Sequence, residues 1–378
     1  MLVTPTNGNL GEKMESVFSR EKVNTGRQYN LDLLKALAIV AMIICHTVTI
    51  LSGARVDYES EFGYRFANAF LGSYLAVAHA FMFCMGVGFV YSRNNEPKAL
   101  LVRGIKIYIM GYVLNFFRGG MYAIVASIFD SNYRDMIGYT LLLQDILQFA
   151  GLAMMLTALF KKLKLDCRII LAISVVMSVF SQLAAMKYQG NTFMNVLIGS
   201  FVPTVEDYST FVLLGWYFFV AAGICFGEVL QRTKNLRRFY GVILGISSVI
   251  LVVYIALTVR FGCFFLCPGG VYYYTGILES IGLLSIDFVL MSIMYFCLSR
   301  LTADRLTISR PFQLCWKMSR NINQIYFAQW CIIGFFTAIF VYLLELPMPY
   351  WVTYLMGVGI VVLSYWTAEH WIKWRSSD

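Results

Sequence analysis

Ten stretches of this chain are long and apolar enough to cross a bilayer, and that repetition constrains the fold more than any motif does. They lie near 31–52, 67–91, 104–127, 140–160, 168–187, 210–230, 239–259, 276–298, 320–341 and 350–371. In hydrocarbon every backbone N–H and C=O must be paired inside the chain, so continuous runs of this length are read as helices. Composition agrees, since 59% hydrophobic and 13% charged residues over 378 positions lie far from the soluble range. The expected fold is all-α and polytopic, with about ten transmembrane helices.

The Lys and Arg residues then set the orientation. Of the 30, 23 lie in the N-terminal segment (Lys13, Arg20, Lys22, Arg27), in alternate loops (Arg93 to Lys106, Lys161 to Arg168, Arg232 to Arg238, Arg300 to Arg320) and at Lys373 and Arg375. Six fall on the other side, at Arg55, Arg65, Arg118, Arg134, Lys187 and Arg260. This asymmetry places both termini in the cytoplasm of a multi-pass protein of a cell membrane, a bacterial inner or plasma membrane. The net charge of +9 is thereby a topology signal, with no call for nucleic acid. Residues 1–26 are polar and lack the apolar core of a signal peptide, so they read as a mobile cytoplasmic tail, with 27–378 as a single transmembrane domain. The nine cysteines fall mostly in apolar runs as small buried residues. Cys263 and Cys267, in an outward loop, could bridge if that face is oxidising. No Cys or His cluster completes a metal site, and no metal is expected.

The first run, "NLDLLKALAIVAMIICHTVTIL", keeps three ionisable groups where such groups are costly: Asp32, Lys35 and His46. Eleven residues separate Lys35 from His46, three helical turns plus about 20° and about 16 Å of rise, so they share a face. Asp32 lies about 40° from His46 on the same wheel and is a natural partner for Lys35. A cation at the cytoplasmic mouth and an imidazole past the midplane suit a long ligand with an anionic head. Acyl-coenzyme A is one, with phosphates at one end and a thioester at the other. Arg103 and Lys106, at i,i+3 in "LLVRGIKIYIMGYVLNFFRGG", add cations where the phosphates would arrive.

These residues resemble a known family. "RQYNLDLLKALAIVAMIICH" is similar to the first-helix signature of the acyltransferase family 3 membrane O-acyltransferases, "FMFCMGVGFVYSR" to their second helix, and Arg103-x-x-Lys106 to the basic pair of their third. "LQDILQFAGLAMMLTAL" with "FVLLGWYFFVAAGICFGEVL" resembles still more the related heparan-α-glucosaminide N-acetyltransferase group. The segment "MSRNINQIYFAQW" carries a fainter likeness, with Gln329 where family 3 members often have histidine, which weakens any role for that segment. Lys35 and Lys106 stand where arginine is usual, keeping the charge and losing the bidentate fork. The resemblance implies transfer of an acyl group, usually acetyl, from a cytoplasmic thioester to a hydroxyl or amine of a sugar-like acceptor on the far side. It implies that His46 marks the active site and puts the segment holding Asp145 and Gln148 beside it.

The remaining intramembrane polar groups divide between site and scaffold. His79 is a second acid/base candidate or a satisfied core histidine. Asp287, midway along the eighth run, needs a cationic partner or a proton. Asp145 and Asp287 both qualify to orient His46, and the sequence does not choose. Asn115, Arg118, Gln148 and His79 are the candidates to meet the acceptor, with Asn115, Arg118, Asn321, Asn323 and Gln324 also reading as helix-to-helix glue. Tyr272, Tyr273 and Tyr274 could stack on a sugar or belong to an interfacial belt.

The expected function is an integral membrane acyltransferase in which His46 is general base and Lys35, Arg103 and Lys106, with Asp32, hold acetyl-coenzyme A as donor. A covalent acetyl-His46 route is the mechanistic alternative. Acyl-coenzyme A, a glycan acceptor and membrane lipid are the expected partners, and a homodimer is allowed. The rival class is a proton-coupled secondary transporter or flippase using Asp32, Lys35, His46, His79 and Asp287 as a relay. The Gly/Pro-broken inverted repeat that would favour it is not evident in the sequence.

Overall fold

Asp145 interrupts what the sequence presents as one apolar run, and this interruption organises the centre of the molecule. The computed structural model describes residues 17–52, 62–74, 77–205, 208–262, 267, 271–344, 346 and 348–377. Its helices are α1 (Tyr29–Ser52), α2 (Phe62–Arg65), α3 (Ala78–Tyr91), α4 (Pro97–Asn115), α5 (Met121–Phe129), α6 (Arg134–Leu142), α7 (Ile146–Lys162), α8 (Cys167–Ala184), α9 (Thr192–Gly199), α10 (Leu213–Gln231), α11 (Leu236–Phe261), α12 (Ile277–Leu298), α13 (Ala303–Ile308), α14 (Arg310–Arg320), α15 (Ile322–Thr337) and α16 (Tyr350–Ser377). Wide π-type turns extend α2 over Phe66–Tyr74, join α4 to α5 over Phe116–Gly120, and extend α15 over Ala338–Leu343. Among the described residues there is no strand, only the isolated bridges Phe18 to Thr233 and Gln144 to Ser209.

Among the described residues, eight spans are long and apolar enough to cross a membrane: α1, α4 through α5, α8, α10, α11, α12, α15 into its π turn, and α16. The protein is an all-α, multi-pass membrane protein. Two of the ten expected runs are shorter than anticipated. The 67–91 run ends as α3, which has 14 residues, and the 140–160 run is divided into α6 and the 17-residue α7. The second division follows from side-chain chemistry, because Asp145 and Gln148 form a capping box that starts α7 afresh. The freed backbone is satisfied locally. Asn115 Nδ2 donates to the carbonyls of Leu141 and Leu143 at 3.1 and 2.5 Å, Gln148 Nε2 to Leu143 at 3.3 Å, and Gln144 N–H to Tyr208 at 2.8 Å. Non-helical backbone at this depth is tolerated on those terms.

α10 is the enclosed centre, with Trp216, Tyr217 and Phe219 fully buried, while α11 turns Val242, Ile246, Val249 and Val252 outward to lipid. Small residues set the closest crossings. A Cβ at Gly86 or Gly223 would collide with the carbonyl of the opposite helix, so α3 and α10 touch backbone to backbone. The described part of the expected mobile tail is held: Ser19 N–H donates to Arg232 at 2.7 Å, Val23 N–H to Gln231 at 2.8 Å, and Lys234 N–H to Val17 at 2.9 Å. Cys267 is buried, and its expected partner Cys263 lies outside the described residues.

Candidate active site

The polar stripe of α1 faces two cavities that share a wall. The larger, about 370 Å³, is lined by Lys35, Arg103 and Arg320 at the basic end of the bundle and by Met42, Ile146 and Tyr326 at its deep end. Those last three residues also line the smaller cavity, about 90 Å³, together with His46, Thr49, Asp145, Phe211, Tyr272 and Tyr273. Lys35, Ile39, Met42 and His46 follow at i, i+4, i+7 and i+11, so one face of α1 runs from the cations to the imidazole.

The cation cluster differs from the expected one. Asp32 meets Lys35 at 3.3 Å, as a partner should, but it also holds Arg27 at 2.6 Å and accepts from the Ser319 hydroxyl at 2.5 Å. Asp32 therefore fixes Lys35 to α14 and does not line the cavity. Lys106 does not line it either. The packed row of α4 is Leu100, Gly104, Ile107 and Gly111; Arg103 flanks that row, and Lys106 lies about 60° further round, exposed. The third cation at the cavity is Arg320, from the end of α14.

Around His46 the partners come from α15 and from the broken helix. Gln329 Nε2 lies 3.4 Å from His46 Nδ1, and the Trp330 ring lies 4.4 Å from the imidazole, tilted by 33°. The Arg118 guanidinium sits 4.6 Å from the same indole, a cation–π contact, and forms a close ion pair with Asp145. Arg118 reaches inward because it sits on the π turn after α4, and α15 crosses tightly there: a Cβ at Gly334 would collide with the Arg118 carbonyl. Asn115 Oδ1 accepts a second Arg118 hydrogen bond at 3.2 Å. Asp145 further accepts from Tyr326 Oη at 3.1 Å, Thr210 Oγ1 at 3.2 Å and Ile146 N–H at 2.8 Å. Gln148 is committed to the cap, accepting from Asp145 N–H at 3.1 Å, and Gly111 leaves room for its carboxamide.

Neither aspartate orients His46 by hydrogen bond. Asp145 lines the same cavity but spends its oxygens on Arg118, Tyr326, Thr210 and its own helix. Asp287 is paired elsewhere: its Oδ2 lies 3.0 Å from His79 Nδ1, and both side chains are wholly buried. The partner expected for Asp287 is thus His79, on α3, and the two form a centre separate from His46.

Arg320, Tyr326, Gln329 and Trp330 are absent from the sequence-derived site. Their signal was present, since Tyr326, Gln329 and Trp330 stand at i, i+3 and i+4 on one face of α15. Gln329 stands where the resemblance led one to expect a histidine, and the structure puts its carboxamide against the imidazole of His46.

No curated protein and no solved structure matches the chain. The family model described as heparan-alpha-glucosaminide N-acetyltransferase, catalytic, matches residues 27–248, more than half of the chain and every helix from α1 to the middle of α11. The chain therefore belongs to the heparan-α-glucosaminide N-acetyltransferase catalytic family and is a multi-pass membrane acetyltransferase.

Proposed function

We propose that the protein moves an acetyl group from acetyl-coenzyme A, bound at the Lys35, Arg103 and Arg320 end, to a hydroxyl or amine of a sugar-like acceptor that reaches His46 from the opposite face. The observation that supports this reading best is the shared wall of Met42, Ile146 and Tyr326 between the cation-lined cavity and the His46 cavity. Charge at one end and an imidazole about 16 Å further along α1 match a phosphate-bearing donor whose pantetheine arm ends in the reacting thioester.

In the reaction, the acceptor oxygen or nitrogen attacks the thioester carbonyl while His46 takes the acceptor's proton. The new C–O or C–N bond forms, the C–S bond breaks, and the proton returns from the imidazolium to the departing thiolate, giving free coenzyme A. The Trp330 face and the Arg118–Asp145 pair hold the ring's surroundings rigid. Tyr272 and Tyr273 offer aromatic faces to an acceptor sugar at the same cavity.

Sidedness tests the reading. In this reading the donor mouth faces the cytoplasm, the side that the Lys/Arg-rich loops favour. In sealed vesicles of known orientation, acetyl-coenzyme A added on the Lys/Arg-rich side should deliver labelled acetyl to an acceptor enclosed on the other side, with release of free thiol. Use of donor and acceptor from one face alone would make the enzyme a one-sided acetyltransferase. Proton-coupled uptake without thiol release, for any sugar in an envelope-glycan panel, would replace the enzyme reading by the transporter.

A further inference from the structure

We propose that Gln329 sets the working tautomer of His46, its side-chain carbonyl accepting the Nδ1 hydrogen so that Nε2 meets the acceptor as a base. The proposal rests on the reading of His46 as general base. Gln329 is fully buried on α15, and its carboxamide is set against Nδ1, with Nε2 at 3.4 Å and Oε1 buried without a donor among the described residues. A half-turn of the amide exchanges the two atoms within nearly the same shape, and it supplies the unpartnered Oε1 with the Nδ1 hydrogen.

The chemistry selects between the two orientations. With the amide nitrogen donating to Nδ1, a neutral imidazole carries its hydrogen on Nε2 and cannot receive another there. Once the acceptor's proton arrives, both ring nitrogens are donors, and Nδ1 needs an acceptor beside it. Asp145 is taken by Arg118, Tyr326, Thr210 and the α7 cap, and Trp330 covers a ring face. Among the described residues, the Gln329 carboxamide is the side-chain group set against Nδ1, and its Oε1 is the acceptor it brings. The neutral amide does here what a carboxylate does in a Ser-His-Asp triad, without placing a second charge beside Asp145. Gln329 is accordingly a positioning residue.

The chain contains three histidines, His46, His79 and His370, so a ¹⁵N-histidine spectrum of the full-length protein in lipid nanodiscs is small enough to assign, with His46→Asn removing its own signals. The expected result for the parent at neutral pH is His46 protonated on Nδ1, with Nε2 unprotonated. Gln329→Met should shift that signature toward Nε2–H and lower kcat by ~10²-fold, with KM for acetyl-coenzyme A within about twofold of the parent. Parent His46 protonated on Nε2 would overturn the proposal, and that spectrum needs no variant to fold. So would a Gln329→Met enzyme with kcat within a few-fold of the parent. Turnover by His46→Ala near the parent rate would instead remove the base reading itself; a dead His46→Ala beside an unimpaired Gln329→Met removes only the role of Gln329.

Discussion

His46 and His79 stand on helices that pack together, and the wall between them is thin: Val77 and Ala78, just before His79, line the His46 cavity. Their surroundings nevertheless differ in kind. His46 keeps part of its surface on a cavity, faces a neutral carboxamide, and lies tilted against an indole that also touches Arg118. His79 turns the other way, to Asp287 on α12 and Phe219 on α10, with no surface left open. A base that must meet an acceptor needs access and a partner that does not already hold the proton it is to receive. His46 has both. His79 has a carboxylate in direct contact and lines neither cavity, the arrangement of a buried hydrogen-bonded pair that joins helices. Burial and an ionisable partner, the features that make a residue look functional in sequence, belong here to the pair that lines neither cavity.

The sharpest way to break this comparison is to delete each ring. His46→Ala should reduce transfer by at least ~10³-fold while binding of acetyl-coenzyme A persists, since the cations lie about 16 Å away. Radiolabel transfer and donor binding by the same detergent-purified sample check both halves. A His46→Ala enzyme that turns over within a few-fold of the parent ends the assignment.

The Arg118–Asp145 pair comes next, because it supports the His46 pocket without touching the ring. Asp145→Asn keeps the cap acceptor for Ile146 N–H but loses the charge that faces Arg118, so the guanidinium and the indole above it lose their anchor. Turnover should fall by ~10²-fold through misplacement of the pocket, with KM for the donor little changed. An equal loss in kcat/KM that comes entirely from KM would point to a direct donor contact.

How much of this could be read in the sequence follows the range of each interaction. The α1 stripe was legible because a helix repeats its face every few residues, and the start of α7 was legible in principle as Asp145 followed three residues later by Gln148. Arg118, Asn115 and Gln148 read from sequence as candidates to meet the acceptor, the first two also as helix-to-helix glue; the structure sets all three around Asp145 and its cap. Their arrangement around Asp145 depends on a π turn and a helix break that periodicity does not announce. His79 meets Asp287 across 208 residues of chain, and Gln329 meets His46 across 283, so neither pairing has a local signature. Lys106 was grouped with Arg103 on i,i+3 spacing alone; which flank of α4 meets the cavity is set by α7, through the Gly104 to Gly151 crossing.

The cations give a smaller effect with an internal control. Neutralising Lys35, Arg103 or Arg320 with Gln should raise KM for acetyl-coenzyme A by ~10-fold at low salt, and less at high salt, since each removes a charge-assisted contact. Lys106→Gln should leave KM within about twofold, because Lys106, unlike Arg103, does not line the cavity. Titrations at two ionic strengths distinguish the lysines, and a Lys106 effect as large as that of Arg103 would restore the pair expected from sequence.

The smallest expected change in turnover comes from the most drastic edit of the second histidine centre. His79→Ala alone leaves Asp287 buried without its imidazole, at a cost of ~3–5 kcal/mol, and should appear as lost folded protein. Among the described residues Asp287 Oδ1 has no hydrogen-bond partner, so the pair is incompletely satisfied there. Replacing both members, with His79→Phe and Asp287→Leu, removes the two costly groups together and fills the space between α3 and α12 with apolar volume beside Phe219. Such double replacements of buried ion pairs are often neutral or stabilising. The double variant should recover the folded yield of the parent, measured by thermal unfolding in detergent, and keep turnover within a few-fold. A well-folded double variant without activity would show that the His79–Asp287 centre takes part in the chemistry, and that one thin wall divides two working halves of a single site.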